Sequence, residues 1–328
     1  MKKAIITGIT GQDGAYLAQL LIQKGYKVIG LSRQNDLQSA YRLVYLGIDQ
    51  QVEVTQVDLT NPRAVMDCLE AYHPDEIYNL AAQSSVGQSF KFPQETFSFN
   101  TLSVMNLLEG IRQFDKNIRF YQASSSEMFG SVSLKNLPIR ESLLFHPVSP
   151  YGISKASAHW LTVNYREAYG LFTACGILFN HESSLRGENF VVKKIINTAI
   201  RIKNGEVKEL NVGNLAISRD WGYAPKYVEA MWLMLQQNIP ADYVICSGQV
   251  TSLLELINQV FNKLDLDLRS YVRLDPQLLR SLDLAIIYGD NSKAKQELGW
   301  EYEMDISYLI SRLIQDEEDL IKWKTSKI

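Results

Sequence analysis

The chain has 328 residues, of which 46% are hydrophobic and 21% charged, and its formal net charge is −3. This composition is typical of a globular protein with one large core, or with a large and a smaller lobe. It lacks the basic whole-chain charge of a nucleic-acid-binding protein, and no segment reaches the roughly 20 apolar residues that cross a bilayer. We therefore expect neither nucleic acid nor a membrane as a partner.

The N-terminus and the cysteines indicate a cytoplasmic protein. Residues 1–7 carry only a short apolar run before Gly8, which predicts a first strand and not a signal peptide. Cys68, Cys175 and Cys246 lack the spacing of a metal site, and their odd number favours free thiols in a reducing compartment. We expect no metal centre.

Short apolar runs alternate with amphipathic segments in the first half of the chain. In chain order, the predicted strands are residues 4–7, 27–31, 52–57, 76–80, 118–122 and 173–178, and the predicted helices are residues 15–23, 62–72, 101–114 and 151–169. Strands separated by helices of this length pair in parallel through right-handed crossovers. The sequence therefore predicts an α/β fold, a doubly wound parallel sheet, with a smaller lobe drawn mainly from the less regular residues beyond 180.

A glycine-rich turn joins the first predicted strand to the first helix. With the spacing G-x-x-G-x-x-G, it reads Gly8, Ile9, Thr10, Gly11, Gln12, Asp13 and Gly14. Glycines allow a tight turn and close backbone approach, and the helix N-terminus offers N–H groups to a pyrophosphate. The spacing alone is a weak signal, but its place after a first strand predicts a Rossmann-type dinucleotide site.

The ends of the next strands bear on the choice of cofactor. An acidic residue after the second strand would bind the ribose of NAD, whereas this chain has Arg33. Arg33 favours the 2′-phosphate of NADP unless it is a solvated loop residue, and NAD stays an alternative. Asp58 is placed to receive the adenine amino group. Mostly small residues allow close passage of a cofactor in the run Leu80, Ala81, Ala82, Gln83 and Ser84.

Tyr151 and Lys155 lie four residues apart on a predicted helix that starts after Pro150, so both project from one face. A free tyrosine has a pKa near 10, which is too high for a base at neutral pH. We expect the lysine ammonium and a positive nicotinamide ring to stabilise the phenolate and to lower this pKa. The pair predicts oxidation of an alcohol by a nicotinamide cofactor.

Ser125 and Glu127 precede this pair, at the end of the fifth strand. Ser125 is expected to hydrogen-bond the hydroxyl that is oxidised. Glu127 favours a sugar 4,6-dehydratase: oxidation at C4 acidifies the C5 proton, the carboxylate removes that proton, C6 loses water, and the stored hydride returns to C6. Alternatively, Glu127 only caps backbone amides. A ketosugar reductase or C4 epimerase, which needs no base at C5, and a non-catalytic NADP-binding regulator are the competing interpretations.

Longer motifs carry a family resemblance over nearly the whole chain. They are residues 7–14, 78–84 and 121–127, the N-H-E-S segment at 180–183, the R-D-W-G segment at 219–222 and residues 227–232. With these segments the chain resembles the GDP-mannose 4,6-dehydratases of the extended short-chain dehydrogenase/reductase (NAD-dependent epimerase/dehydratase) superfamily. The resemblance implies NADP as cofactor and a GDP-sugar as substrate, either GDP-mannose or a relative such as a GDP-heptose.

The resemblance also implies roles for single residues. Ser125 takes the place of a catalytic threonine, Glu127 that of the proton-abstracting base, and Tyr151 with Lys155 that of the oxidation pair. Besides the glycine turn and residues 80–84, the implied cofactor contacts are Arg33, Asp58, Leu59, His181 and Arg186. The implied nucleotide-sugar contacts are Asn180, Lys194, Arg219 and Arg280, with Ser85 in a loop beside the sugar.

The chain departs from the family at Gln34, at Ser184 and Leu185, and at residues 281–283, where relatives carry an arginine, Pro-Arg and a Pro-Thr-Glu-type segment. We place an NADP-binding Rossmann domain in residues 1–178 and about 217–247, and a nucleotide-sugar-binding lobe in residues 179–216 and 248–328. Helices 101–114 and 151–169 are expected to pair across a two-fold axis, giving a homodimer or homotetramer.

Overall fold

The computed structural model describes residues 1–33, 40–279 and 284–327. Within these ranges the strands are β1 (Lys3–Thr7), β2 (Lys27–Ser32), β3 (Val52–Gln56), β4 (Glu76–Asn79), β5 (Arg119–Ser125), β6 (Thr173–Leu178), β7 (Asn180–Glu182), β8 (Leu210–Val212), β9 (Ser218–Arg219), β10 (Trp221–Tyr223), β11 (Asp242–Ile245), β12 (Thr251–Ser252), β13 (Val272–Leu274) and β14 (Ile286–Ile287).

The helices connect these strands in the alternating pattern that the sequence predicts. They are α1 (Gln12–Gln23), α2 (Tyr41–Tyr45), α3 (Pro62–Tyr72), α4 (Val86–Lys91), α5 (Pro93–Phe114), α6 (Pro150–Tyr169), α7 (Val191–Lys203), α8 (Ala224–Met234), α9 (Leu253–Lys263), α10 (Leu268–Tyr271) and α11 (Ile306–Thr325). A short 3₁₀ helix, Ser126–Phe129, follows β5 directly.

A seven-stranded sheet in the order β11-β6-β5-β4-β1-β2-β3 forms the centre of the molecule. All its pairings are parallel, and β1 lies between β2 and β4, with Thr7 opposite both Leu31 and Asn79. The predicted doubly wound sheet is confirmed. The strand order reverses between β1 and β4, and ligands bind at such switch points, outside the carboxyl ends of the strands.

Three elements differ from the sequence prediction. Helix α1 begins at Gln12, because the glycine turn already ends at Gly11, its N-cap. Helix α5 begins at Pro93 and not at Thr101, because proline suits the first turn of a helix and needs no N–H there. Strand β11 adds a seventh strand beside β6. It has only four residues, and the sequence pattern does not predict it.

Apolar clusters cover both faces of the large sheet. Leu69, Leu107 and Ile111 belong to the cluster that packs α3 and α5 on one face, whereas Leu17 and Met231 belong to the cluster with α1 and α8 on the other. A separate core joins α7, α9 and α11, and three small sheets lie outside the main one: β10-β7, β12-β9-β14 and β13-β8. In the described part of the chain, no helix combines the length and the hydropathy needed to cross a membrane.

Candidate active site

The glycine turn after β1 brings three backbone segments close together. Gly8 has a φ of +70°, and a Cβ atom there would lie 3.0 Å from the Ala81 nitrogen. A Cβ atom on Gly14 would lie 2.3 Å from the Gly8 carbonyl oxygen. A side chain at either position would therefore displace backbone of the turn or of the β4 end, which explains the need for glycine.

A cavity of about 370 Å³ opens beside this turn, at the switch point of the sheet. The predicted cofactor residues that line it are Gly8, Thr10, Gly11, Gln12, Asp13, Gly14, Arg33, Leu59, Leu80, Ala81, Ala82, Ser84 and Arg186. The turn backbone and the N-terminus of α1 offer N–H groups to phosphate, and Arg33 and Arg186 add positive charge. These residues fit a nicotinamide dinucleotide cofactor.

A second cavity, of about 240 Å³, continues the first. It shares five lining residues with the cofactor cavity: Asp13, Leu80, Ala82, Ser84 and Arg186. The other predicted site residues that line it are Ser85, Ser125, Glu127, Tyr151, Lys155, Asn180, His181 and Arg219. Residues from β5, α6, β7 and β9 thus meet in one groove, which leads from the glycine turn to the predicted catalytic residues.

Local capping places the four predicted catalytic residues. Strand β5 ends at Ser125, whose hydroxyl accepts a hydrogen bond from the Glu127 amide at 3.3 Å and caps the 3₁₀ helix. Ser149 caps α6 by accepting from the Gly152 amide at 3.0 Å. Lys155 donates from Nζ to the Ala123 carbonyl at 2.7 Å, which fixes α6 against β5. Tyr151 and Glu127 consequently line the same cavity.

Burial is the largest influence on the pKa of Tyr151 in the protein alone. Burial raises the pKa of Tyr151 to about 12; a hydrogen bond to Ser125 partly opposes this rise, and the Glu127 charge adds to it. Burial also lowers the pKa of Lys155 to about 8. The Lys155 Nζ lies 5.9 Å from the centre of the Tyr151 ring. In the protein alone, desolvation outweighs the expected stabilisation of the phenolate.

His181 links the glycine turn to the second half of the chain. Its Nε2 lies 2.8 Å from Asp13 Oδ2, its Nδ1 lies 2.7 Å from the Phe179 carbonyl, and its ring stacks on Tyr227 with 4.6 Å between centroids. Burial alone would raise the pKa of Asp13, but His181 and Arg186 outweigh burial and lower this pKa to about 2. An ionised Asp13 therefore holds His181 at the junction of the two cavities.

Sequence reasoning missed two residues that surround Arg186. Glu182 is buried, and its Oε2 lies 3.6 Å from the Arg186 Nε. The guanidinium also lies 3.8 Å above the Phe190 ring. Burial raises the pKa of Glu182, while Arg186 and His181 oppose this rise. The only sequence signal for Glu182 was its membership of the N-H-E-S segment, which does not reveal that the carboxylate is buried.

Three of the described predicted site residues line neither cavity. The Asp58 carboxylate accepts from Thr60, the Gln83 side chain bonds Ser85 and Thr96, and the Lys194 Nζ donates to the Asn211 carbonyl at 2.7 Å. Arg280 lies outside the described residues, as do Gln34 and residues 281–283.

One buried group of potential metal ligands occurs in the described ranges. His159, Cys175 and Asp242 place one ligand atom each within 4.8 Å of one another. The Asp242 carboxylate, however, accepts two hydrogen bonds from the Arg166 guanidinium, at 2.7 and 2.9 Å. Because a cation already neutralises the carboxylate, we interpret this group as a structural network between α6, β6 and β11.

Solved structures of other proteins share the fold at low sequence identity. The protein RMD from Pseudomonas aeruginosa, complexed with NADPH, is 24% identical, with a TM-score of 0.81 and 98% of each chain covered. The dTDP-glucose 4,6-dehydratase from Bacillus anthracis, in complex with NAD, is 19% identical, with a TM-score of 0.85 and the same coverage. These similarities establish the fold.

Sequence comparisons identify the family. A GDP-mannose 4,6-dehydratase 2 of Arabidopsis thaliana is 44% identical over 98% of this chain and 88% of its own length. A GDP-mannose 4,6-dehydratase of Vibrio cholerae is 39% identical over 96% of this chain and 93% of its own length. The sequence model of the GDP-mannose 4,6-dehydratases matches residues 5–313. With a match of this extent and a groove that gathers the predicted catalytic residues, the chain belongs to the GDP-mannose 4,6-dehydratase family.

Proposed function

We propose that this protein converts GDP-mannose to its 4-keto-6-deoxy derivative by removal of water. The observation that carries the proposal is the meeting of Glu127 and Tyr151 in one cavity that opens onto the dinucleotide cleft. A carboxylate beside the oxidation pair is what a dehydratase needs and what a ketosugar reductase or a C4 epimerase does not. The family match also favours dehydration over both alternatives.

In this proposal, Tyr151 accepts the proton of the sugar C4 hydroxyl, and Ser125 orients that hydroxyl. A nicotinamide dinucleotide held by the glycine turn and Arg33 would supply the redox chemistry, namely storage of the C4 hydride until its return to C6. Since burial holds the pKa of Tyr151 near 12 in the protein alone, a positive charge beside the phenol must lower this pKa for catalysis. Lys155, fixed by the Ala123 carbonyl, provides one such charge.

Glu127 then removes the C5 proton, which the ketone at C4 acidifies, and its conjugate acid protonates the C6 hydroxyl as water leaves. When hydride returns to C6, C5 takes a proton from solvent, and Tyr151 releases to solvent the proton that it took from the C4 hydroxyl. This assignment uses one carboxylate first as a base and then as an acid. Glu127 is half-buried at the start of a short 3₁₀ helix that directly follows the strand of Ser125. Ser125 and Glu127 are therefore only two residues apart, and the local backbone keeps them close to each other.

A screen of nucleotide-sugars tests the proposed function. Purified protein is incubated with GDP-mannose, a GDP-heptose, and dTDP-, UDP- and CDP-hexoses, and mass spectrometry follows the loss of one water. We expect conversion of GDP-mannose without net consumption of cofactor. If only a GDP-heptose is converted, the substrate is a GDP-heptose and not GDP-mannose. If a ketosugar is reduced with net consumption of NADPH, the protein is a reductase and not a dehydratase.

We assign the GDP-sugar to the part of the groove between β7 and β9. Asn180 and Arg219 line this part, and Arg219 is anchored by donating to the Leu284 carbonyl at 2.6 Å. A cation and an amide donor suit a pyrophosphate.

We propose the same division into domains as the sequence analysis. Residues 179–216 and 248–328 form the proposed nucleotide-sugar-binding lobe, and residues 1–178 with about 217–247 form the proposed cofactor domain. We also propose a cytoplasmic location.

NADP is the proposed cofactor, and Arg33 is the residue that selects it. The Arg33 guanidinium lies 4.9 Å from the centre of the Phe99 ring and lines the cofactor cavity. Replacing Arg33 with alanine is expected to weaken NADP binding about tenfold, because a charge-assisted contact to the 2′-phosphate is lost, and to leave NAD binding unchanged. Titration calorimetry with both cofactors measures the ratio; equal losses for NADP and NAD would remove Arg33 from cofactor selection.

A homodimer is the proposed assembly, formed through α5 and α6. The two helices pack side by side and expose large apolar side chains: Phe97, Leu102, Met105, Ile153 and Trp160. Trp160 is 58% exposed. Replacing Trp160 with glutamate is expected to shift the protein to monomers in sedimentation equilibrium, because a charge enters the apolar contact. Leu144→Glu, at an exposed site on a loop, is the control; an unchanged mass for Trp160→Glu would refute this interface.

A further inference from the structure

We propose that Arg42 is a positioning residue that holds the two sides of the cofactor cavity together through their backbone carbonyls. Arg42 lies on the short helix α2 and donates from NH1 to the Thr10 carbonyl at 2.9 Å and from Nε to the Leu185 carbonyl at 2.7 Å. The inference rests on the proposed cofactor role of the glycine turn and extends it to a residue outside both cavities.

The two carbonyls that accept from Arg42 each belong to the residue before one that lines the groove. Thr10 precedes Gly11 in the glycine turn, and Leu185 precedes Arg186, whose side chain lines both cavities. The contacts join residues that are far apart in the sequence, since Arg42 reaches across 143 positions to Leu185. One guanidinium therefore sets the separation of the turn and of the segment that carries Arg186.

The surroundings of Arg42 suit a fixed link. The guanidinium carbon lies 4.6 Å from the centre of the Tyr41 ring, and burial lowers the pKa of Arg42. Leu185 itself is fully buried in the core beside α1 and α8. A planar guanidinium donates in two directions at a fixed angle, which a lysine ammonium does not reproduce. The buried Leu185 side chain and the hydrogen bond from Arg42 to the Leu185 carbonyl together fix the backbone that leads to Arg186.

The test compares Arg42→Met and Arg42→Lys with the wild type and with Arg63→Met, a matched change at an exposed arginine on α3. Titration calorimetry measures the binding of NADPH and, separately, of GDP to each folded protein. We expect Arg42→Met to weaken NADPH binding about tenfold and to leave GDP binding unchanged. This is less than the full effect of two hydrogen bonds from a charged donor, because neither bond is made to the cofactor itself. Arg42→Lys, which can keep one of the two bonds, should fall between.

Hydrogen exchange adds a local measurement. Peptides that cover residues 8–14 and 184–190 are both expected to exchange faster in Arg42→Met, since each loses its link. If Arg42 only stabilised the fold, Arg42→Met would lower the melting temperature, and it would either weaken NADPH and GDP binding equally or leave both unchanged. Each of these two results would overturn the proposal. Should Arg42→Met not fold, the same comparison is made with Arg42→Lys. These binding measurements need no turnover. The proposal for Arg42 can therefore be refuted while the dehydratase assignment stands, and the reverse is also true.

Discussion

Replacing Glu127 with glutamine is expected to lower the rate of GDP-mannose dehydration about a thousandfold, because the substitution removes the group that takes the C5 proton. Glutamine keeps the size of Glu127 and the hydrogen bond from its backbone amide to Ser125, but its side chain cannot take up a proton as a carboxylate does. Cofactor affinity should stay unchanged, since Glu127 lines the catalytic cavity and not the cofactor cavity. Single-turnover assays with mass spectrometry of the sugar measure the loss of water.

The step at which Glu127→Gln stops is also predicted. In the proposed mechanism, the protein groups that act in C4 oxidation are Tyr151, Lys155 and Ser125. The variant should therefore still oxidise the sugar and should fail to exchange the C5 proton with solvent deuterium. Glu70→Gln, an exposed change on α3, is the control. Wild-type turnover in Glu127→Gln would exclude this carboxylate from the mechanism and leave it as a helix cap.

Replacing Tyr151 with phenylalanine is expected to reduce turnover by about a hundredfold or more, and to do so before the C5 step. The hydroxyl is the proposed base for the C4 alcohol, and its ring is almost completely buried, so phenylalanine fills the same space. In a single turnover, no reduced nicotinamide should accumulate in Tyr151→Phe, whereas Glu127→Gln should accumulate it.

Tyr169→Phe, at the exposed C-terminal end of the same helix, is the matched control and should behave as the wild type. Comparable accumulation of reduced nicotinamide in Tyr151→Phe and Glu127→Gln would assign C4 oxidation to another group. The two variants together therefore separate the oxidation step from the dehydration step.

The sequence predicted those features that depend on local spacing. Tyr151 and Lys155 share a face because they lie four residues apart on α6, and the glycine turn follows β1 because its spacing allows only a tight connection. The structure brings these groups into one groove, and their catalytic roles stay predictions for the variants above.

Features that depend on burial and long-range contact could not be read from the sequence. Burial raises the pKa of Tyr151 in the protein alone, which the sequence does not show, and the expected lowering by Lys155 together with a positive nicotinamide ring stays a prediction. Glu182 beside Arg186 and the link from Arg42 to Leu185 both join positions whose proximity only the fold creates. The substrate contact expected of Lys194 stays a prediction; in the structure its ammonium donates to the Asn211 carbonyl of β8, a contact that the sequence does not reveal.

The most direct test of the central claim follows one deuterium through the reaction. GDP-mannose labelled with deuterium at C4 is incubated with the purified protein and a trace of cofactor, and the product is examined by mass spectrometry and NMR. The account predicts a product that has lost one water and carries the deuterium in its C6 methyl group. Deuterium that leaves the sugar with the cofactor, or a labelled sugar that never loses water, would contradict it.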